Sequence, residues 1–272
     1  LESLMYRTAG LIDEVVAASG GSPAAVLAAL EEYTVEASIA KVYGSEVADY
    51  VIDESVQILG GNGFVADYPV ERRYRDARVN RIFEGTNEIN RLLIPGMLIK
   101  KSVKGDLPLM KAATAIQEEL LAPSAMPEGD DRPLADERRG VAAFKKVALF
   151  VAGAAMQRFG DALQHEQEVL SSLADIVIDA YAAESAVLRA LAAAGAPDAA
   201  LHAATATVVA HEAAGRIELA ARATLAAVSE GDTLRTQLAA LRRLLKLTPV
   251  NLVTRRRQIA DAAVARGGYP FA

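Results

Sequence analysis

The stretch "YRDARVNRIFEGTNEINRLL", residues 74–93, decides how the first half of this chain is read. Two helical patterns meet at Phe83-Glu84-Gly85-Thr86, so a carboxylate sits between an aromatic residue and a glycine where one helix stops and the next begins. Gly85 removes steric bulk beside Glu84, leaving room for another molecule to approach. Ile82 and Phe83 are expected to shield one side of Glu84. A carboxyl group in such a partly apolar pocket has its pKa raised, which suits a general base near neutral pH. The pattern alone equally describes an exposed glutamate in a turn that caps a helix, and this is the simpler reading.

Just upstream, "QILGGNGFVADYP" (57–69) ends a long helical pattern in Gly60, Gly61 and Gly63. Backbone N–H groups in a glycine-rich loop can approach a ligand closely, and a following helix N-terminus favours anions. Glycine at a helix C-terminus stands beside that reading. Further out, proline is confined to punctuation while Ala, Leu, Glu and Arg dominate, the composition of an all-α protein. Helices are expected over 2–18, then from Ser22-Pro23 (an N-cap and first-turn proline) to about Leu59. Two more run from Asp67-Tyr68-Pro69 to about Phe83 and from near Thr86 to about Val103.

Residues 121–140, "LAPSAMPEGDDRPLADERRG", read as the clearest linker. Three segments follow: a helical domain over 1–103, a connecting segment and linker over 104–140, and an additional helical domain over 141–272. In the last, Leu170, Leu173, Val177, Tyr181, Glu184, Leu188 and Leu191 fall near 3-4 spacing and predict the seam of an antiparallel bundle. Turns are expected at Gly195-Ala196-Pro197, at 229–233 and at Thr248-Pro249.

The 272 residues are 52% apolar and 24% charged, enough to bury a sizeable core. A net charge of −6 argues against nucleic acid as a partner. There is no cysteine, hence no disulfide and no thiolate metal site, which fits a reducing cytoplasm. The three histidines, His165, His202 and His211, lie in helical sequence with no second ligand at metal spacing, so no metal site is predicted. No apolar run of the roughly 18 residues needed for a membrane span is expected. Leu1 falls within a helical pattern, so the chain reads as a fragment of something longer. Arg72, Arg73, Arg75, Arg78 and Arg81 read as a solvated face paired with Glu71 and Asp76. The basic cluster of Arg242, Arg243, Lys246 and Arg255–Arg257 reads likewise as solvated or paired between helices.

Gln57-Ile58-Leu59-Gly60-Gly61-Asn62-Gly63, Tyr74-Arg75-Asp76 and Glu84-Gly85-Thr86, in this order and spacing, resemble the C-terminal signature of the acyl-CoA dehydrogenase family. The preceding "EASIAKVYGSEVADYVIDESVQ" (36–57) fits as well, so the resemblance covers about residues 1–103. It implies that Glu84 abstracts the α-proton of a fatty acyl-CoA thioester and that hydride leaves the β-carbon for FAD. It also implies that the Glu84 backbone N–H polarises the thioester carbonyl, that Phe83 and Gly85 border the substrate, and that Gln57, Ile58, Leu59, Gly60 and Gly61 reach the adenosine-diphosphate part of FAD, typically a neighbouring subunit's. Thr86, Asn87 and Glu88 match a second FAD-contacting segment. Position 88 carries Glu where many relatives have Gln, and Phe83 stands for a common tyrosine. Glu84 argues against the branch whose base comes from another helix.

Residues 152–190 resemble the added domain of the very-long-chain type, which implies a long-chain substrate in β-oxidation, an electron-transfer flavoprotein as acceptor and a homodimer. The acidic, proline-rich 121–140 segment argues against membrane attachment. Because the family's upstream domains hold much of the FAD, the chain alone is expected to be inactive. An acyl-CoA oxidase-like flavoprotein and a non-catalytic helical scaffold are the alternatives.

Overall fold

A computed structural model describes residues 1–121 and 132–271, and among these every regular element is helical. The chain divides into two compact units, Leu1–Met97 and Leu98–Ala272.

In the first unit, α1 (Glu2–Ala18) ends at the Gly20-Gly21 turn, and α2 (Pro23–Glu32) begins as its sequence dictates. Ser22 caps it by accepting a hydrogen bond from the Ala25 N–H at 3.2 Å, with Pro23 in the first turn. The single helix expected from Pro23 to Leu59 is broken at Tyr33, and α3 runs Thr34–Leu59. The reason lies in Thr34, whose hydroxyl donates to the Leu30 and Glu31 carbonyls and so competes with the main-chain ladder at the joint. Val35, Ile39 and Val42 of α3 are buried with Leu4 and Ala29, forming the core of this unit.

The glycine stretch is not a loose loop. Gly60–Phe64 continues directly from α3 as a tight 3₁₀ turn, and α4 (Pro69–Ala77) starts only after Val65–Tyr68. Gly63 is dictated by packing: a Cβ there would lie 2.6 Å from the Val56 carbonyl oxygen. The expected helix to Phe83 stops short, passing into a second 3₁₀ turn over Arg78–Arg81. After the 82–86 turn, α5 spans Asn87–Lys104, and the division between units falls within it.

The second unit also contains a helix, α6 (Leu109–Leu121), where the sequence suggested only a connector. Residues 122–131 of the expected linker lie outside the described residues, and α7 (Ala135–Phe159) already occupies its last part. After a 3₁₀ turn at Gly160–His165, α8 (Gln167–Ala192), α9 (Ala199–Val228), α10 (Gly231–Leu244) and α11 (Leu252–Arg266) complete an antiparallel bundle. Helices α7, α8 and α9 form its centre, flanked by α6, α10 and α11. The expected turns fall at the joints between α8 and α9, between α9 and α10, and between α10 and α11.

The α8 seam is shifted from its predicted register. Leu170 and Leu173 are buried, but Leu188 is 46% exposed, and Val177, Tyr181, Glu184 and Leu191 are only partly covered. The buried stripe is Val169, Leu173, Ile176, Ala180, Ala183, Val187 and Ala190. Ala206, Ala210, Ala213 and Ala221 are buried on α9, which packs against α8, so large and small side chains share the covered faces. Asp179, buried on α8, is held by the Arg216 guanidinium of α9 at 2.7–3.0 Å. Contrary to expectation, the 31-residue stretch Ala135–His165 is long and apolar enough to span a membrane by composition. Half of its most apolar window is buried against the other helices, with Phe144, Val147 and Val151 fully covered, as befits a core helix.

Of the basic residues named above, Arg75 takes the expected Glu71, and three others find partners farther away along the chain. Arg75 bonds Glu71 within α4, Arg81 reaches Asp49 on α3 at 3.2 Å, Arg243 donates to the Leu120 carbonyl at 2.6 Å, and Arg256 pairs with Glu212 at 2.6 Å. The His202 ring lies 4.7 Å from that of Phe271 and its Nε2 is 3.4 Å from Asp198.

Candidate functional site

The backbone at Glu84 is unusual. Glu84 has φ of +57° and Gly85 follows at +76°, so two consecutive residues adopt the left-handed conformation. Glycine does this freely, whereas for an L-residue with a long side chain it costs about 1–2 kcal/mol. Such strain persists only where surrounding structure enforces it, and it gathers at functional sites. These two residues lie in the turn that joins the Arg78–Arg81 3₁₀ segment to α5. Among the described residues, the Glu84 side chain has no hydrogen bond or ion pair, and its backbone N–H donates to no group.

Glu84 lines an open depression of about 350 Å³ together with Lys41, Ser45, Ala48, Asn80 and Phe83. The apolar shielding expected from its neighbours is not supplied within this unit: Phe83 is 49% exposed, Ile82 is also exposed, and so is Glu84 itself.

Helix α5 begins with a built cap. Thr86 Oγ1 accepts from the Ile89 N–H at 3.2 Å. The exposed Glu88 carboxyl is held below the usual carboxylate range, first by its own backbone N–H, then by the Thr86 hydroxyl, with Arg91 and Arg81 adding smaller attraction. Asn87 is fully buried at 0% exposure and its side chain is engaged inside the unit. Its Oδ1 accepts from Lys41 Nζ at 2.7 Å, and its Nδ2 donates to Ser45 Oγ at 2.9 Å and Glu46 Oε1 at 3.1 Å. Glu46 in turn takes a bidentate pair from Arg91 at 2.7 and 2.9 Å. Asn87, which the sequence resemblance placed against FAD, therefore has no side-chain donor or acceptor pointing outward. Thr86 uses its oxygen in the cap, while Glu88 remains at the surface.

The glycine segment lies elsewhere on the same unit. Ile58 is 83% exposed, and a Cβ at Gly60 or Gly61 would meet nothing within 4 Å, so this stretch of backbone is open to a close neighbour. Beside it runs a groove of about 500 Å³ lined by Val56, Gly63, Phe64, Glu71, Tyr74, Arg75 and Arg78, in which Glu71 and Arg75 are paired with each other.

Sequence reading overlooked Lys41, Ser45 and Glu46. They belong to the 36–57 stretch that carries part of the resemblance, but no local pattern marks them, because their partners lie more than forty residues away.

Two family models, each described as "Acyl-CoA dehydrogenase, C-terminal domain", match residues 4–98 and 143–243. A "Probable acyl-CoA dehydrogenase" of Bacillus subtilis is 46% identical over 268 residues, covering 96% of this chain and 45% of that protein. The crystal structure of an acyl-CoA dehydrogenase complexed with FAD from Bacillus anthracis matches with a TM-score of 0.93 and 45% identity, over 98% of this chain and 46% of the other. The "Caffeyl-CoA reductase-Etf complex subunit CarC" of Acetobacterium woodii is 50% identical over 68 residues, covering 25% of this chain and 18% of that protein. The chain spans about 45% of the length of the Bacillus subtilis relative. With both helical units matched along nearly their whole length, the chain belongs to the acyl-CoA dehydrogenase family.

Proposed function

We propose that this chain is the C-terminal part of an FAD-dependent acyl-CoA dehydrogenase, and that Glu84 is the base that removes the α-proton of a fatty acyl-CoA thioester. The observation that carries the reading is the left-handed Glu84-Gly85 pair, which holds an unpartnered carboxylate on the rim of an open depression. FAD, when bound, supplies the acceptor for the β-hydride. Glu84 holds the departing proton on its carboxylate. Its free backbone N–H is available to the thioester carbonyl, where enolate charge develops. Phe83 and Gly85 border the reacting carbons. Gln57 to Gly61 and the neighbouring groove take the adenosine-diphosphate end of FAD, with Thr86 and Glu88 near the second contact and Asn87 behind them.

A long acyl chain in β-oxidation is proposed from the second bundle. The acceptor is proposed to be an electron-transfer flavoprotein, in line with the Etf complex named for the Acetobacterium woodii relative. The assembly is proposed to be a homodimer, and the isolated chain to bind FAD weakly and to turn over no substrate.

The test uses the full-length protein carrying this chain, wild type beside Glu84→Gln, with palmitoyl-CoA titrated anaerobically while flavin absorbance is followed. Bleaching in wild type, lost in a variant that retains FAD, is the expected result. Bleaching in both proteins removes Glu84 as the base, and bleaching in neither removes palmitoyl-CoA as substrate. Replacing palmitoyl-CoA with butyryl-CoA in the same titration tests the chain-length assignment.

A further inference from the structure

We propose that Lys41 is a positioning residue: from α3 it clamps the peptide that carries Glu84 and so sets the rate of the proton-abstraction step. This rests on the reading of Glu84 as base. Lys41 Nζ lies 2.7 Å from the Gly85 carbonyl oxygen and 2.7 Å from Asn87 Oδ1, so one ammonium group ties together the residue after Glu84 and the first residue of α5. The Gly85 carbonyl also accepts from Asn90 Nδ2 at 2.9 Å, which occupies its second lone pair. Without such partners little in this turn offsets the cost of the left-handed backbone at Glu84, because among the described residues the Glu84 side chain and N–H make no hydrogen bonds of their own.

The clamp is itself braced. Asn87 cannot swing away from Lys41, since Ser45 and Glu46 hold its amide and Arg91 holds Glu46. Burial lowers the tendency of Lys41 to carry a proton, and the nearby carboxylates work against that, Glu88 most, then Glu46 and Glu84. Lys41 also lines the depression that Glu84 borders. A hydrogen bond from a charged donor is the strong kind, and here it acts on the segment through the backbone rather than on any substrate.

Two measurements test this. In the 272-residue chain, hydrogen exchange is followed for a peptide covering residues 82–90 in wild type, Lys41→Met and Lys41→Arg, with α8 as internal reference. Lys41→Met is expected to speed exchange in 82–90 by about tenfold or more while α8 is unchanged, and Lys41→Arg to restore part of the protection. In the full-length protein, Lys41→Met is then expected to slow anaerobic bleaching by palmitoyl-CoA at saturation, with FAD content kept and half-saturation little changed. Unaltered exchange in 82–90 overturns the proposal outright. Faster exchange with a normal bleaching rate, where Glu84→Gln still abolishes bleaching, overturns the link to the proton step. Normal bleaching in Glu84→Gln itself overturns the base assignment instead, a separate failure. Should Lys41→Met not fold, Lys41→Gln, which keeps a donor and loses the charge, is read by the same two measurements.

Discussion

Substituting alanine for Gly85 tests the geometry of the 82–86 turn without touching a titratable group. Gly85 has φ of +76°, and placing an L-residue there costs about 1–2 kcal/mol. The new Cβ would also lie 3.1 Å from Asn90 Nδ2. Asn90 cannot simply withdraw: it is buried, and its amide donates to the Gly85 carbonyl at 2.9 Å and the Thr86 carbonyl at 3.1 Å. Loss of one of these bonds adds about 1 kcal/mol. Against this, alanine restricts the unfolded chain and offsets about 0.4–1 kcal/mol. The net expectation for Gly85→Ala is a destabilisation of about 2 kcal/mol, roughly thirtyfold in a local opening constant. Gly61→Ala is the matched control, because Gly61 has an ordinary φ and open space around its α-carbon; it should change stability by less than about 0.5 kcal/mol. Urea unfolding of the chain, read with exchange in residues 82–90, separates the two variants. If Gly85→Ala proves as mild as Gly61→Ala, the left-handed turn does not constrain this segment, and the fold does not enforce strain at Glu84.

Two further outcomes follow from the structure. Ala183→Leu, at a fully buried α8 position, should lower the stability of the second unit by about 1–3 kcal/mol through overpacking, whereas Leu188→Ala, at a largely open position, should cost less than about 1 kcal/mol; urea midpoints that reverse this order would restore the seam expected from large residues. Glu88 titrates lower in the folded state, so its contribution is present above the ordinary glutamate range and is lost as pH falls through its depressed folded value. Wild type should therefore lose more stability in its first unit than Glu88→Gln between about pH 6 and pH 3, and equal losses would contradict the cap geometry.

Much of the molecule is legible in its sequence because the signals are local. Ser22-Pro23 starts α2, glycines end α1 and α3, and Thr86 with Glu88 starts α5, since each satisfies or frees backbone groups within a few residues of itself. Several motifs in fixed order likewise carry the family. Other features depend on groups brought together from far along the chain. Leu188 and Leu191 suggest by spacing a seam on α8 that the fold leaves partly open, while Ala180, Ala183 and Ala190 beside Ile176 and Val187 are the covered positions. Asn87 sits in a recognisable motif, yet whether its amide faces a ligand or the interior is decided by Lys41, Ser45 and Glu46 on α3. Sequence alone determined that Glu84 would stand at a junction of helices beside a glycine. The left-handed backbone of that junction, the exposure of its apolar neighbours and the lysine that holds it are tertiary properties, because each balances local strain or solvation against contacts more than forty residues away.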